Sequence, residues 1–192
     1  MIITYQGENY FKIQSGEQAI LIDPVNQRSL RGAAVAVNTL YPSPVARPTE
    51  DECFWVDHQG EYEVQGIHIE GWSAGNEGGE EKTIYRIAFE EIVIVAMGHL
   101  TKEPSKELQE HAEDADVLIL PAGGKPWLPE SAAAKFVRQV EPAIIIPSLF
   151  KDLKPFLKEF NHGNAASPEE KFVFKKKDLV PHAMTVKWLE VK

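Results

Sequence analysis

The first half of the chain reads as a succession of short β-type segments, and this limits the fold more than any other feature. "IITY" (Ile2–Tyr5), "YFKIQ" (Tyr10–Gln14) and "AILID" (Ala19–Asp23) follow one another across Gly-bearing turns at Gly7 and Gly16. Connections this tight predict an antiparallel meander. "AAVAVNT" (Ala33–Thr39) is apolar on both faces, as a central strand is. After "CFWVD" (Cys53–Asp57), "EYEVQGIHIEGW" alternates in twos, and "TIYRIAF" and "IVIVAM" form a pair parted by Glu90 and Glu91. Gly75–Lys82, "GNEGGEEK", reads as an acidic loop.

The second half changes period. Pro104 suits the first turn of a helix running to about Ala112. Ala133, Phe136, Val137 and Val140 fall at i, i+3, i+4 and i+7 within a helix over Pro129–Val140. A third helix, capped by Asp152, repeats the stripe with Leu153, Phe156, Leu157 and Phe160. "DVLIL" and "AIIIP" lie between these helices as buried strands, and "KFVFK" and "MTVKWLEV" close the chain as strands. Meandering strands followed by strand–helix alternation predict an α/β (α+β) domain with helices outside packed sheets. No linker divides residues 1–192, which are enough for one domain with its own core.

Charge and cysteine usage narrow the partners. The net charge is −9, with 20 Lys and Arg against 29 Asp and Glu. Nucleic acid and anionic membranes reward the opposite sign, so neither is expected as a partner. "KKK" at Lys175–Lys177 reads as a solvated edge. No apolar stretch approaches the roughly 20 residues of a membrane span. Cys53 is the single cysteine, which excludes an intrachain disulfide and a cysteine-based zinc ribbon. With no recognisable signal peptide at the N-terminus, a cytoplasmic location is expected.

Five landmarks occur in order: "ITYQGENYFKIQSGEQAILIDP", "GEYEVQGIHIEG", "TIYRI" with "IVIVAMGHL", "DVLILPAGG" and "EPAIIIPSLF". Together they resemble the metallo-β-lactamase-fold hydrolases, in particular a branch of small bacterial and archaeal zinc-dependent enzymes. The likeness spans nearly the whole chain and implies a four-layer αββα sandwich.

The resemblance fails where that family performs its chemistry. Its His-x-His-x-Asp-His metal loop falls on Leu40, Pro42, Pro44 and Val45, none of which binds a metal through its side chain. The loop "SAGNEGGEE" lacks the family's next histidine. His99 occupies the place of the bridging aspartate, and Leu149 that of the last histidine. Glu8 follows Gly7 where the family's opening turn has a histidine; Asp23, a supporting residue at a strand end, is kept.

The residues alone point the same way. A zinc site needs three or four His, Cys or carboxylate ligands converging at about 2 Å. The histidines are His58, His68, His99, His111, His162 and His182, and no two lie within four residues of each other. His68 shares a strand face with Glu70, away from Ile67 and Ile69. His111 sits late in a helix, where a cation suits the dipole. His162 marks a helix end and His58 a turn. His99 alone follows a buried strand and a glycine. Asp51, Glu52, Glu61 and Glu63 read as surface charge. "PAGGK" (Pro121–Lys125) reads as a plain connection, with an anion cradle as the alternative. Trp55, Trp72, Trp127 and Tyr41 suit core packing or an interface.

The expectation is a degenerate family member with no metal cofactor and no hydrolase activity of the family's type. It would bind, scaffold, or serve as an oligomer subunit with its own copies or a protein partner. Leu40–Val45 would fill the former cleft with apolar side chains. The alternative is a metal-dependent hydrolase with one divalent ion, zinc first, in a reduced site of Asp23, His99, Glu8 and His58.

Overall fold

The computed structural model describes residues 1–47, 53–160 and 167–192. The strands, in chain order, begin with β1 (Ile2–Tyr5), β2 (Phe11–Ser15), β3 (Gln18–Ile22), β4 (Val35–Val37), β5 (Leu40–Tyr41) and β6 (Phe54–Val56). Next come β7 (Gly60–Val64), β8 (Ile67–Glu77), β9 (Glu80–Phe89) and β10 (Ile92–Ala96). Then α1 (Lys106–Ala112), β11 (Val117–Pro121), α2 (Glu130–Val140), β12 (Ile144–Ser148) and α3 (Lys154–Glu159) alternate, before β13 (Phe172–Val173) and β14 (Thr185–Val186).

Two sheets form. The first has the order β13-β1-β2-β3-β4-β6, and the second β14-β12-β11-β10-β9-β8-β7, with β5 paired to β9. The period-2 residues meet between them: Ile3, Phe11, Ile13, Ile20 and Ile22 from one sheet, Ile69, Ile87, Ile94, Ile119 and Ile146 from the other. On the outer face of the second sheet, Val95, Leu118, Leu120 and Ile145 receive Phe136 and Val137 of α2 and Phe156 and Leu157 of α3. Each such side chain contributes about 1.5–3 kcal/mol by leaving water. The predicted α2 stripe is the buried face of that helix.

The outer face of the first sheet is covered more thinly. There Tyr10, Leu21, Ala36, Cys53 and Trp55 pack with Leu30, from a 3-10 turn over Gln27–Leu30, and with Val45. The described residues place all three α-helices on the other side. No helix among them is long and apolar enough to cross a membrane.

Three local expectations are corrected. Gly75–Lys82 is not a loop but the end of a long β8–β9 hairpin, turned at Gly78 and Gly79 with φ of +65° and +89°. Two glycines supply the left-handed turn that matches strand twist, and the polar residues beside them hid the strands. Helix α1 begins at Lys106 rather than at Pro104, with Ser105 capping it by accepting a hydrogen bond from the Leu108 N–H. Leu40–Val45 does not fill a cleft: Tyr41, Pro42 and Pro44 are exposed, and Val45 is buried on the outer side of the first sheet. Leu40 and Tyr41 are held instead by ladder pairing to Lys82 and Glu81. Asp51, Glu52 and His162 lie outside the described residues.

Candidate functional site

Parallel pairing sets one edge of the sandwich as the candidate site. β3 pairs parallel with β4, and β10, β11 and β12 pair parallel in turn. Their C-terminal ends therefore open onto common edges, where Asp23, Thr39, His99, Ala122 and Leu149 follow. The β1–β2 turn joins them, because the Leu149 N–H donates to the Glu8 carbonyl at 2.8 Å. Asp23, Glu8, His99 and Leu149 all have left-handed backbone, with φ between +47° and +55°. Four non-glycine residues in this sparsely populated region mark a built edge rather than a relaxed loop.

A hydrogen-bond network occupies the edge. The Thr39 N–H donates to Asp23 Oδ1 at 2.6 Å, and the Thr39 hydroxyl to Asp23 Oδ2 at 2.6 Å. Asn9 Nδ2 donates to the same Oδ2 at 2.5 Å. His99 Nδ1 stands 3.0 Å from Thr39 Oγ1 and 3.6 Å from Asp23 Oδ2. The His99 and Asp23 side chains are 13% and 11% exposed, so water reaches them only at an edge. Trp127 meets the His99 ring edge-to-face at 5.2 Å. Two buried polar atoms, Asn9 Oδ1 and Ser148 Oγ, have no hydrogen-bond partner among the described residues.

Of the four residues proposed for a reduced metal site, the structure brings together Asp23 and His99. Glu8 reaches the edge only through its backbone, which accepts bonds from the Leu149 N–H and the Tyr5 hydroxyl, while the residue itself is exposed. His58 packs at a tilt against Tyr41, with ring centroids 4.5 Å apart, and lies 3.5 Å from Glu81. Leu40, Pro42, Pro44 and Val45 offer no donor, as their side chains dictate. Asn9 and Thr39 escaped the sequence reading. Their one signal is position: Thr39 ends a strand apolar on both faces, and Asn9 follows the Gly7 turn.

The other candidates separate clearly. His68 is exposed opposite buried Ile67 and Ile69. His111 stacks on Trp72 at 3.9 Å, nearly parallel. His182 lies at the surface beside Glu141. Trp55 is a core residue. At Pro121–Lys125 the Glu130 carboxylate lies against Gly124, within 2.7 Å of where a Cβ would stand. That negative charge opposes an anion.

A divalent ion of the kind the resemblance implies does not fit these residues. Asp23 already accepts three hydrogen bonds, and His99 Nδ1 faces a hydroxyl. Among the described residues, no three His, Cys, Asp or Glu side chains come together as a metal site requires.

A family model described as the beta-lactamase superfamily domain matches residues 2–148. No curated protein matches the chain. Among solved structures, the chain is similar to a candidate zinc-dependent hydrolase of the metallo-beta-lactamase superfamily from Thermotoga maritima. The TM-score is 0.79 at 20% identity, covering 100% of this chain and 99% of that one. A candidate metal-dependent hydrolase from Parabacteroides distasonis follows, with TM-score 0.70, 15% identity, and 99% and 93% coverage. A metallo hydrolase from the archaeon Ignicoccus hospitalis has TM-score 0.63, 15% identity, and 91% and 99% coverage. At these identities the likeness shows the fold alone: the two-sheet sandwich of the metallo-β-lactamase type.

Proposed function

The chain belongs to the beta-lactamase superfamily, and from that premise we propose that it works without the family's metal ion. Its role is binding, scaffolding or membership of an oligomer, with its own copies or a protein partner, rather than metal-dependent hydrolysis. The observation that supports this reading is the engagement of Asp23 by donors of its own chain. Its carboxylate takes one backbone N–H, one hydroxyl and one amide N–H, all from inside the protein. A cation would have to share the carboxylate with these donors, and among the described residues the side chains around it supply one imidazole. The net charge of −9 supports a partner other than nucleic acid or an anionic membrane.

Elemental analysis of protein purified without chelator tests the reading. The expected result is no stoichiometric zinc, iron or manganese, and a thermal midpoint unmoved by EDTA. One metal ion per chain, lost on His99→Ala, would overturn it and favour the single-ion hydrolase, for which the 3.6 Å approach of His99 to Asp23 is the supporting contact.

A further inference from the structure

The direction of every hydrogen in the Asp23 network can be counted. Ionised Asp23 is an acceptor only. Thr39 Oγ1, 2.6 Å from Asp23 Oδ2, therefore spends its single hydrogen on the carboxylate. Asn9 is oriented by the same charge: its Nδ2 must face Oδ2, because the reverse would set two oxygens against each other. With its hydrogen committed, Thr39 Oγ1 can only accept from His99 Nδ1 across 3.0 Å. His99 must then carry a hydrogen on Nδ1. When the ring is neutral, the lone pair is on Nε2, for which no protein partner is found among the described residues.

We propose that Asp23 and Thr39 form a relay that fixes His99 as the Nδ1–H tautomer and presents Nε2 as the hydrogen-bond and proton acceptor of this edge. The ligand chemistry that matches it is an O–H or N–H donor. Thr39 is a positioning residue: it touches no ligand and acts through the imidazole. The geometry is that of a base held by a carboxylate, with a hydroxyl inserted between them. Gly98 belongs to the device, since a Cβ there would stand well inside 3.0 Å of both Thr39 Oγ1 and Asn9 Nδ2.

Nitrogen-15 NMR of the full chain, recorded where His99 is neutral, reads the tautomer directly. The expected wild-type pattern is a pyrrole-type Nδ1 and a pyridine-type Nε2. Thr39→Ser, which keeps the hydroxyl, retains the pattern, and Thr39→Val loses it. Asp23→Asn reverses it. The introduced amide then donates to Thr39 Oγ1 and to the carbonyl of Asn9, whose own amide flips; the freed hydroxyl donates to Nδ1, and the hydrogen moves to Nε2. Should a variant fail to fold, the wild-type spectrum alone still decides the tautomer. An Nε2–H ring in the wild type, or a pattern unchanged in both Thr39→Val and Asp23→Asn, overturns the relay. The outcome is separate from that of metal analysis, because a cation on Nε2 leaves the hydrogen on Nδ1.

Discussion

Gly98 passes directly beneath Asn9: a Cβ on Gly98 would lie well inside 3.0 Å of Asn9 Nδ2, closer than real carbon contacts come. Gly98→Ala must therefore push Asn9 and Thr39 off Asp23, or move β10 as a whole. Either leaves a largely buried carboxylate short of donors. The expected loss is about 2–4 kcal/mol, read from urea denaturation. A loss under roughly 0.5 kcal/mol, the size of a neutral surface change, would mean that the network yields freely and does not hold the edge together.

His99 holds φ at +55°, a conformation in which a Cβ is crowded. Its side chain offsets part of that through Thr39 and Trp127. His99→Ala loses those contacts and keeps the strain, whereas His99→Gly loses the contacts and relieves it. The Gly variant should therefore be more stable than the Ala variant by roughly 0.5–1 kcal/mol, after the greater unfolded-state freedom of glycine. Equal or reversed stabilities would show that the backbone here is not strained.

The sandwich was legible because apolar alternation records which face of each strand is buried. Ile3, Ile13, Ile20 and Ile22 mark the inner layer by their alternation alone. That Leu40, Pro42 and Pro44 bring no metal ligand was equally legible, since leucine and proline donate no lone pair wherever they stand. The Asp23 network was not. Asn9 and Thr39 lie 30 residues apart and are ordinary polar residues in the sequence; only the convergence of the β1–β2 turn with the end of β4 gives them a common carboxylate. Leu40–Val45 misled for a related reason. Apolar character predicts burial but not which of two layers receives it, and Val45 went to the outer one.

Cys53 gives a chemical probe of that outer layer. Burial pushes its thiol up from 9.0 to about 11, since the thiolate would lose its hydration. At neutral pH that rise cuts the reactive thiolate about a hundredfold. Alkylation in native buffer should be slower than in urea by at least that factor, because burial also blocks access. Comparable rates in the two solvents would place Cys53 outside the packed cluster with Leu21, Val45 and Trp55.

Glu77 should make stability depend on acid. It ends β8 at the rim of a cleft of about 430 Å3, and its carboxylate takes Lys102 Nζ at 2.6 Å, Lys82 Nζ at 2.9 Å and the Thr101 hydroxyl at 2.8 Å. The hydrogen bond from Lys102, followed by those from Lys82 and Thr101, pulls the carboxyl down from 4.5 to about 2. A folded-state value below the unfolded one means that the unfolded chain takes up the proton first. The stabilisation is therefore complete above pH 4.5 and drains away as pH falls towards about 2. Lys82, only 4% exposed, would then keep a buried ammonium without its counter-charge. Glu77→Gln should destabilise the protein at neutral pH, and the gap to wild type should close across that window. Because Glu77 is 37% exposed, salt should narrow the gap as well. Urea midpoints of both proteins measured down the pH range decide the matter. A gap that stays constant from neutral pH to about pH 2 would show that the Lys102 and Lys82 contacts do not hold the Glu77 charge.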